Sequence, residues 1–325
     1  MMNEVRWGIL GTAKIARTFI KAMAECYDTR VQAVASREYT RALEWAKEQG
    51  IPRVFGSYQE MLDSAEIDCV YNPLPNSMHA EWTIKALEAG LPVLCEKPFA
   101  ANAAEARRVA DVASQKRLPL GEAFMYRYHP QYDRIFGLIQ DGALGVITTI
   151  RSAFSFRMHS RDNIIADAAL AGGSLMDVGC YCVNLSRLVA GAEPIRVAAF
   201  ERRTSVDDLM LGILEFPNNI LAQLECGIES YARETAEIEG SDGSILIPSP
   251  WLPGNERATF LLRRGDREEV VNVPAANSYA LEIEDFVRAC RTRDPLRWST
   301  EDAIANMRVI DALYESARAG AVVTV

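Results

Sequence analysis

The sequence predicts an α/β protein in which a parallel sheet covered by helices precedes an α+β domain with an open, mainly antiparallel sheet. Short apolar runs alternate with helical stretches over about the first 120 residues, a pattern typical of strand–helix–strand units. After about residue 122 the pattern changes to strands joined by tight turns. The length of 325 residues suits two domains. We expect residues 1–122 to form the first and residues 123–325 the second.

The elements of the first domain follow from apolar spacing. Ala80, Ile84 and Leu87 recur at helical spacing, and Gly90 ends that helix. Apolar runs too short for helices are the expected strands. The other elements, in chain order, are a strand at 5–10, a helix through Ile15, Ile20 and Met23, a strand at 31–35, a helix at 40–49, strands at 68–71 and 91–95, and a helix at 102–117 with Asn102 as its N-cap.

Turn residues organise the second domain. Apolar and polar residues alternate over 220–228, which follows 209–216 across Pro217-Asn218-Asn219, so the two runs are expected to form a hairpin. Ser241-Asp242-Gly243 and Gly265-Asp266 indicate two further turns between strands. Two helices are expected to close the chain, at 279–292 and around an apolar stripe of Met307, Ile310, Tyr314 and Ala317.

Composition excludes several classes of protein. The net charge of −9 argues against binding a nucleic acid backbone, which requires a basic face. No apolar run comes near the roughly 18 residues of a membrane span. Only three His are present, so we expect no metal site. Seven Cys without a CxxC pair argue against a disulfide framework, and a cytoplasmic location is expected.

The turn after the first strand reads Gly8-Ile9-Leu10-Gly11-Thr12-Ala13-Lys14-Ile15-Ala16. In a dinucleotide-binding fold a glycine here permits a tight turn, and the first amides of the next helix hold a pyrophosphate. The candidate cofactor-binding residues are Gly11, Thr12, Ala13 and Ile15. Alanines replace the second and third glycines of the motif, and a plain tight turn is the alternative.

The residues after the second strand favour NADP(H), with NAD(H) as the alternative cofactor. An NAD site usually has an acidic residue there that binds the ribose 2′-hydroxyl. This chain has Ser36 and Arg37, with Arg41 one helical turn later. A hydroxyl and guanidinium groups suit a 2′-phosphate. The alternative is that both arginines are solvated surface charges, partly offset by Glu38.

The expected strand at 91–95 runs into Glu96-Lys97-Pro98. The carboxyl ends of parallel strands line the ligand crevice, so Glu96 and Lys97 are candidate site residues. Pro98 keeps Lys97 out of the helical region. From these residues alone, the alternative is a lysine on the surface.

Five segments together carry a resemblance to a known family: residues 7–11 (WGILG), 72–79 (NPLPNSMH), 96–98 (EKP), 126–130 (YRYHP) and 172–181 (GGSLMDVGCY). Over nearly its whole length the chain resembles the glucose–fructose oxidoreductase/inositol dehydrogenase/MocA (Gfo/Idh/MocA) family of NAD(P)-dependent oxidoreductases. The resemblance implies an N-terminal Rossmann domain and a C-terminal α/β domain whose open sheet often mediates oligomerisation.

The resemblance also implies roles for single residues. Lys97 matches a lysine beside the nicotinamide and the reacting oxygen, and Glu96 matches a residue near the cofactor ribose. Asp177 and Tyr181 match two active-site positions. Further candidates are Asn72, Leu74, Asn76 and His79 for the loop along the dinucleotide, and Arg127 and Tyr128 for substrate, with the geometry of the domain crossover as the alternative role of the last two.

Tyr181 stands where many dehydrogenases of the family have His, which favours the branches of glucose–fructose oxidoreductase, dihydrodiol dehydrogenase, NADP-xylose dehydrogenase and keto-sugar reductase. Hydride transfer from an alcohol needs a group that takes the hydroxyl proton. Unperturbed Tyr and Lys have pKa values of about 10 and 10.4, so Lys97 and Tyr181 are the expected donors in carbonyl reduction near neutrality. Asp177 is expected to position substrate, with a helix N-cap as the alternative.

We therefore expect an NADP(H)-dependent oxidoreductase that transfers hydride between nicotinamide and a sugar or polyol. One alternative is a trans-dihydrodiol dehydrogenase, and others are a non-catalytic NADP-binding sensor and a hydrolase with a tightly bound cofactor. The expected partners are a small sugar-like substrate and further copies of this chain, in a homodimer or homotetramer through the C-terminal sheet. Neither nucleic acid nor a membrane is an expected partner.

Overall fold

The computed structural model describes residues 4–325. The chain divides into two units, each with its own sheet. The first unit comprises residues 4–125 together with Ser278–Ile304, and the second comprises Tyr126–Asn277 together with Ala305–Val325. This division corrects the expectation that all of 123–325 belongs to the second domain, because the chain returns to the first unit for 27 residues, 278–304.

The first unit alternates strands and helices from its start. In chain order its elements are β1 (Val5–Leu10), α1 (Lys14–Met23), β2 (Thr29–Ala35), α2 (Tyr39–Gln49), β3 (Arg53–Phe55), α3 (Tyr58–Asp63), β4 (Cys69–Asn72), α4 (Asn76–Glu88), β5 (Val93–Glu96), α5 (Ala103–Lys116) and β6 (Leu120–Ala123).

The six strands form a parallel sheet in the order β3-β2-β1-β4-β5-β6. This is the strand order of a dinucleotide-binding Rossmann fold, and it confirms the predicted fold class. The order reverses between β1 and β4. Ligands of such sheets bind outside the carboxyl ends of the strands at that reversal, so the turns after β1 and β4 are where a cofactor site belongs.

An aromatic core explains why the chain returns to the first unit. Trp7 of β1 packs edge-on against Phe19, with ring centroids 5.2 Å apart, and Phe19 stacks on Tyr71 at 3.9 Å. The other side of Trp7 contacts Phe286, with centroids 5.1 Å apart. Phe286 lies on α8 (Ser278–Thr292), whose apolar face is buried in this core. The helix expected at 279–292 is thus confirmed, but it packs with the first unit.

The second unit begins within a one-turn 3-10 helix, Met125–Tyr128, of which the last three residues belong to it. Its further elements are α6 (Pro130–Gln140), β7 (Ile147–Arg157), short 3-10 turns at Ile164–Ala166 and Ala168–Leu170, a π-helical turn at Leu175–Gly179, α7 (Cys180–Ala190), β8 (Arg196–Arg203), β9 (Asp207–Glu215), β10 (Leu221–Gly227), β11 (Glu229–Gly240), β12 (Gly243–Ile247), β13 (Ala258–Arg264), β14 (Arg267–Val273), the main part of α9 (Thr300–Ala319) and β15 (Val323–Thr324).

Nine strands form the sheet of this unit in the order β14-β13-β12-β11-β7-β10-β9-β8-β15. The three predicted hairpins are present as the antiparallel pairs β9–β10, β11–β12 and β13–β14. In the first of them Asn219 adopts a left-handed φ of 63°. The central pair, β7 and β10, is parallel. The sheet is therefore mainly antiparallel, as predicted.

Helices α7 and α9 cover one face of this sheet. A Cβ on Gly179 would lie 2.6 Å from Cys226 Sγ of β10, and one on Gly212 would lie 3.0 Å from Leu313 of α9. At these two positions helix and strand are too close for a side chain. The opposite face exposes Phe200, Leu211, Ile213 and Leu221 of β8, β9 and β10.

One helical stretch among residues 4–325, Ala168–Ala190, is long and apolar enough to cross a membrane by length and composition. Its mean hydropathy is 1.2, and 67% of its apolar window is buried inside the fold. The expectation that no apolar run comes near this length is therefore wrong. This burial is typical of the core helix of a folded domain. The last part of the stretch is α7, whose residues are almost all buried in the second unit.

Candidate active site

The turn after β1 has the conformation that the glycine predicts. Gly11 has a left-handed φ of 82°, and a Cβ there would lie 3.2 Å from the side chain of Leu74. Ala13 is the N-cap of α1, and no side chain in the described chain accepts a hydrogen bond at this helix start. The first amides of α1, around Thr12 and Ile15, can therefore bind an anion such as a pyrophosphate.

The residues predicted to bind a cofactor 2′-phosphate follow the end of β2. Ser36 is almost buried, and its hydroxyl accepts a hydrogen bond from the Glu38 amide at 3.2 Å. Arg37 and Arg41 are exposed. Sequence reasoning missed Tyr58 of α3, whose hydroxyl lies 3.8 Å from where a Cβ on Gly11 would be. Burial raises the pKa of Tyr58, and the positive charges of Arg37 and Arg41 oppose that rise.

The turn between β4 and α4 is held by buried polar side chains. The Asn72 amide donates to the His79 carbonyl at 3.2 Å and to Thr83 Oγ1 at 3.0 Å, and its oxygen accepts from the Leu74 amide. The buried Asn72 side chain therefore holds this turn in place through three hydrogen bonds. Asn76 and His79 lie in the first turn of α4, whereas the sequence placed them in the loop.

His79 links this turn to the residues after β5. Its Nδ1 lies 2.8 Å from the Pro98 carbonyl oxygen and its Nε2 lies 2.7 Å from that of Leu74. The ring is 1% exposed, and burial lowers its pKa to about 4 although both carbonyls favour the charged form. The His79 side chain therefore connects the turn between β4 and α4 to the residues after β5.

Glu96 and Lys97 end the strand β5, as predicted. Glu96 is almost buried, and it accepts from the Tyr71 hydroxyl at 2.6 Å and from the Lys97 amide at 3.2 Å. Burial and this carboxylate raise the pKa of Tyr71 well above its usual range. The Lys97–Pro98 peptide is cis, and Lys97 is partly exposed. A partly exposed lysine thus follows the carboxyl end of β5, the strand between β4 and the edge strand β6.

Asp177 lies in the π-helical turn Leu175–Gly179, which leads directly into α7 and Tyr181. Asp177 does not cap this helix, because it lies inside the π-helical turn, and the N-cap positions of that turn and of α7 are Ser174 and Gly179. The carboxylate of Asp207 accepts from the Leu175 amide and from Ser174 Oγ, both at 2.7 Å. The N-cap alternative for Asp177 is thus wrong. π-helical turns are frequent at functional sites.

Four aromatic rings surround or support the ring of Tyr181, which is 7% exposed. Its ring centroid lies 5.6 Å from Phe154, 5.8 Å from Tyr126 and 5.9 Å from Trp251. Tyr132 contacts Tyr126 at 5.0 Å. Sequence reasoning assigned no role to the rings other than Tyr181, since no spacing rule relates residues 126, 154 and 251.

Arg127 and Tyr128, which were predicted with Asp177 to contact substrate, lie in the 3-10 helix before α6 and are both buried, with Arg127 only 2% exposed. Their role in substrate binding stays a prediction. Among residues 4–325 there is no group of three or more His, Cys, Asp or Glu side chains that could hold a metal ion.

Two models of one protein family match this chain, one in each of its two units. Residues 5–124 match the oxidoreductase family with an NAD-binding Rossmann fold, and residues 132–246 match the C-terminal domain of the same family. The chain belongs to the Gfo/Idh/MocA family. It is an oxidoreductase, and the first unit is the NAD-binding Rossmann domain of that family.

The relatives of this Gfo/Idh/MocA protein include enzymes that act on sugars and diols. D-xylose 1-dehydrogenase (NADP(+)) 2 of Haloferax volcanii is 38% identical over 322 residues, which is 98% of each chain. Trans-1,2-dihydrobenzene-1,2-diol dehydrogenase of Mus musculus is 30% identical and covers 97% of this chain and 96% of its own. Both relatives span the two units.

Solved structures agree with this assignment. KijD10, a 3-ketoreductase of Actinomadura kijaniata in complex with NADP and TDP-benzene, has a TM-score of 0.92 at 30% identity and covers 97% of this chain and 98% of its own. Variants of KijD10 with one tyrosine or one lysine replaced have also been solved. In KijD10 the replaced tyrosine follows the replaced lysine by as many residues as Tyr181 follows Lys97.

Proposed function

We propose that this protein is an NADP(H)-dependent oxidoreductase acting on a sugar or sugar-like polyol. The observation that carries the proposal is the match along 98% of the chain to an NADP-dependent D-xylose dehydrogenase. Both of the proposed proton-transfer residues, Lys97 and Tyr181, have the spacing of the residues replaced in KijD10. A non-catalytic sensor would require only the cofactor site of the first unit.

The residues of the first unit fit a dinucleotide. The uncapped start of α1 and the close approach at Gly11 provide a place for the pyrophosphate, and Arg37 and Arg41 provide positive charge for a 2′-phosphate. When bound, the nicotinamide ring supplies or accepts the hydride. Glu96 is held by Tyr71 and fixes the backbone amide of Lys97.

The chain's own residues handle the proton. In the reductive direction the Tyr181 hydroxyl donates a proton to the oxygen of the substrate carbonyl, and the Lys97 ammonium stabilises the charge that develops there. In the oxidative direction the Tyr181 phenolate accepts the proton of the substrate hydroxyl, and the Lys97 ammonium again stabilises the negative charge on the substrate oxygen. Asp177 accepts a hydrogen bond from a neighbouring substrate hydroxyl and so fixes which carbon reacts.

The test is NADP⁺ reduction at 340 nm and pH 9 against a panel of aldoses and trans-dihydrodiols, with NAD⁺ as the cofactor control. Turnover of an aldose with a clear preference for NADP⁺ is the expected result. The dihydrodiol dehydrogenase is the second candidate, because such an enzyme is 30% identical over 97% of the chain. Turnover of diols alone would favour it, and redox-silent product formation would contradict both.

Loss of the two arginines after β2 should weaken NADPH binding selectively. We expect Arg37→Ala combined with Arg41→Ala to raise the Kd for NADPH by about 10- to 100-fold, since charge-assisted contacts to phosphate contribute about 1.5–3 kcal/mol. The Kd for NADH should change little. Fluorescence titration with both cofactors measures this.

Arg30→Ala is the matched control for the arginine pair. Arg30 is the second residue of β2, at the end of the strand away from Ser36, and pairs with Glu4 at 3.0 Å. An equal loss of NADH and NADPH affinity in the Arg37/Arg41 variant would rule out a 2′-phosphate role.

We also propose that the open face of the second sheet binds a second copy of this chain. Phe200 of β8 is 77% exposed and pairs across strands with Leu211, and Ile213 of β9 is 53% exposed. Contiguous exposed apolar side chains of this kind mark protein interfaces. Light scattering coupled to gel filtration should show a dimer or tetramer that Phe200→Lys with Ile213→Lys converts to monomer, whereas a monomeric wild type contradicts the proposal.

A further inference from the structure

The loop between β12 and β13 is held by hydrogen bonds with the side chains of Gln131, Tyr132 and Glu234. The carboxylate oxygen Oε1 of Glu234 accepts from the backbone amides of Trp251 and Leu252, each at 2.7 Å. The carbonyl oxygen of Pro250 accepts from the Tyr132 hydroxyl at 2.7 Å and from the side-chain amide nitrogen Nε2 of Gln131 at 3.3 Å. Loops are ordinarily the mobile parts of a fold, so this anchoring singles out the segment that carries Trp251.

The anchored loop inserts Trp251 into the aromatic cluster around Tyr181. Trp251 is 0% exposed, and its ring lies 5.5 Å from Tyr126, 6.0 Å from Phe154 and 5.9 Å from Tyr181. It contacts both of the other rings that flank Tyr181. Trp251 is thus the member of the cluster whose removal would loosen every other contact of the Tyr181 ring.

The indole nitrogen of Trp251 is buried without a hydrogen-bond partner within the described residues. A buried donor without an acceptor costs about 1–3 kcal/mol. Phenylalanine or leucine would fill an apolar core at this position without that cost. The three ring contacts are what the indole supplies to the cluster around Tyr181.

We propose that Trp251 is a positioning residue for Tyr181, held in place by Glu234. Trp251 fixes the plane of the Tyr181 ring, and so the direction of its hydroxyl, while Glu234 fixes the backbone that carries Trp251. This inference rests on the proposed function of Tyr181 as a proton donor. A displacement of about 1 Å at a reacting group can cost about 100-fold in rate.

The kinetic test uses a double-mutant cycle of Trp251→Leu and Tyr181→Phe in the full-length protein, with the sugar that the panel identifies and NADP⁺. Trp251→Leu should lower kcat about 10- to 100-fold with KM and the Kd for NADPH unchanged. In the Tyr181→Phe background, Trp251→Leu should have no further effect on kcat, because it acts through a hydroxyl that is already absent. Multiplicative effects on kcat would overturn the proposal.

A second pair of variants separates hydrogen bonding from charge and protects the test against misfolding. Glu234→Gln keeps the oxygen that accepts from both amides, so it should keep most of kcat, whereas Glu234→Ala should lower kcat as Trp251→Leu does. Similar losses in both Glu234 variants would contradict the anchoring role. Circular dichroism and thermal melting check that each variant is folded.

A spectroscopic measurement needs no substrate. In the protein labelled with 3-fluorotyrosine, the ¹⁹F resonance that disappears in Tyr181→Phe belongs to Tyr181. It should move towards the position of free 3-fluorotyrosine in Trp251→Leu and in Glu234→Ala but not in Glu234→Gln. An unmoved resonance would overturn the positioning role, whereas full activity of Tyr181→Phe with a moved resonance would overturn only the proposed function of Tyr181.

Discussion

Lys97→Ala is expected to lower kcat on the order of 1,000-fold, the loss typical of removing a preorganised cation at a developing oxyanion. Lys97 follows the carboxyl end of β5, where its backbone amide is held by a buried carboxylate. Glu96 accepts from its amide at 3.2 Å and is itself held by the buried hydroxyl of Tyr71. The loss should appear mainly in kcat, with a much smaller rise in the Kd for NADPH. Initial rates at 340 nm and NADPH fluorescence titration measure the two.

Lys85→Ala is the matched control for Lys97. Lys85 belongs to the same unit as Lys97. Its ammonium group pairs with Glu81 at 2.6 Å and lies over the ring of Trp82. Its kcat should stay near that of the wild type. If Lys97→Ala retained more than about a tenth of the wild-type kcat, Lys97 would not stabilise the reacting oxygen.

Tyr181→Phe is expected to lower kcat by about 100- to 10,000-fold, the range for loss of a general acid or base. The substitution removes one oxygen and keeps the ring, so the contacts with Phe154, Tyr126 and Trp251 remain. The aromatic cluster should therefore stay packed in this variant. Steady-state kinetics in both directions should show the loss in kcat with KM nearly constant.

Tyr126→Phe is the control for the loss of a phenol from the same cluster. The Tyr126 hydroxyl donates to Asn184 Oδ1 at 2.5 Å, a contact that ties α7 to the 3-10 helix before α6. We expect this variant to lose about 1 kcal/mol of stability and far less activity than Tyr181→Phe. Equal losses of kcat in the two variants would indicate that the cluster is structural and that Tyr181 does not transfer the proton.

Local signals were sufficient for most of the secondary structure. The strand β1 begins and ends as expected, and Asn102 caps α5 by accepting from the Glu105 amide at 2.9 Å. Glycine and asparagine at the turns predicted all three hairpins of the second sheet, because those residues adopt left-handed or tight-turn conformations at low cost. The three-residue strand β3 and the six-residue helix α3 went unassigned, since such short elements have no period to detect.

Contacts between distant parts of the chain decided the rest. The sequence by itself determined the fold class, the Gly11 turn, the Arg37 and Arg41 pair, and the candidates Lys97, Asp177 and Tyr181, because each depends on a local pattern or on a motif. The tertiary structure decided that α8 packs on Trp7 in the first unit and that β7 pairs in parallel with β10. It also placed Trp251 beside Tyr181, and it placed Asp207 at the π-helical turn that precedes α7, the helix of Tyr181. Such partners are selected by burial and by hydrogen bonds between residues that lie tens of positions apart in the sequence. A local sequence pattern therefore does not predict them.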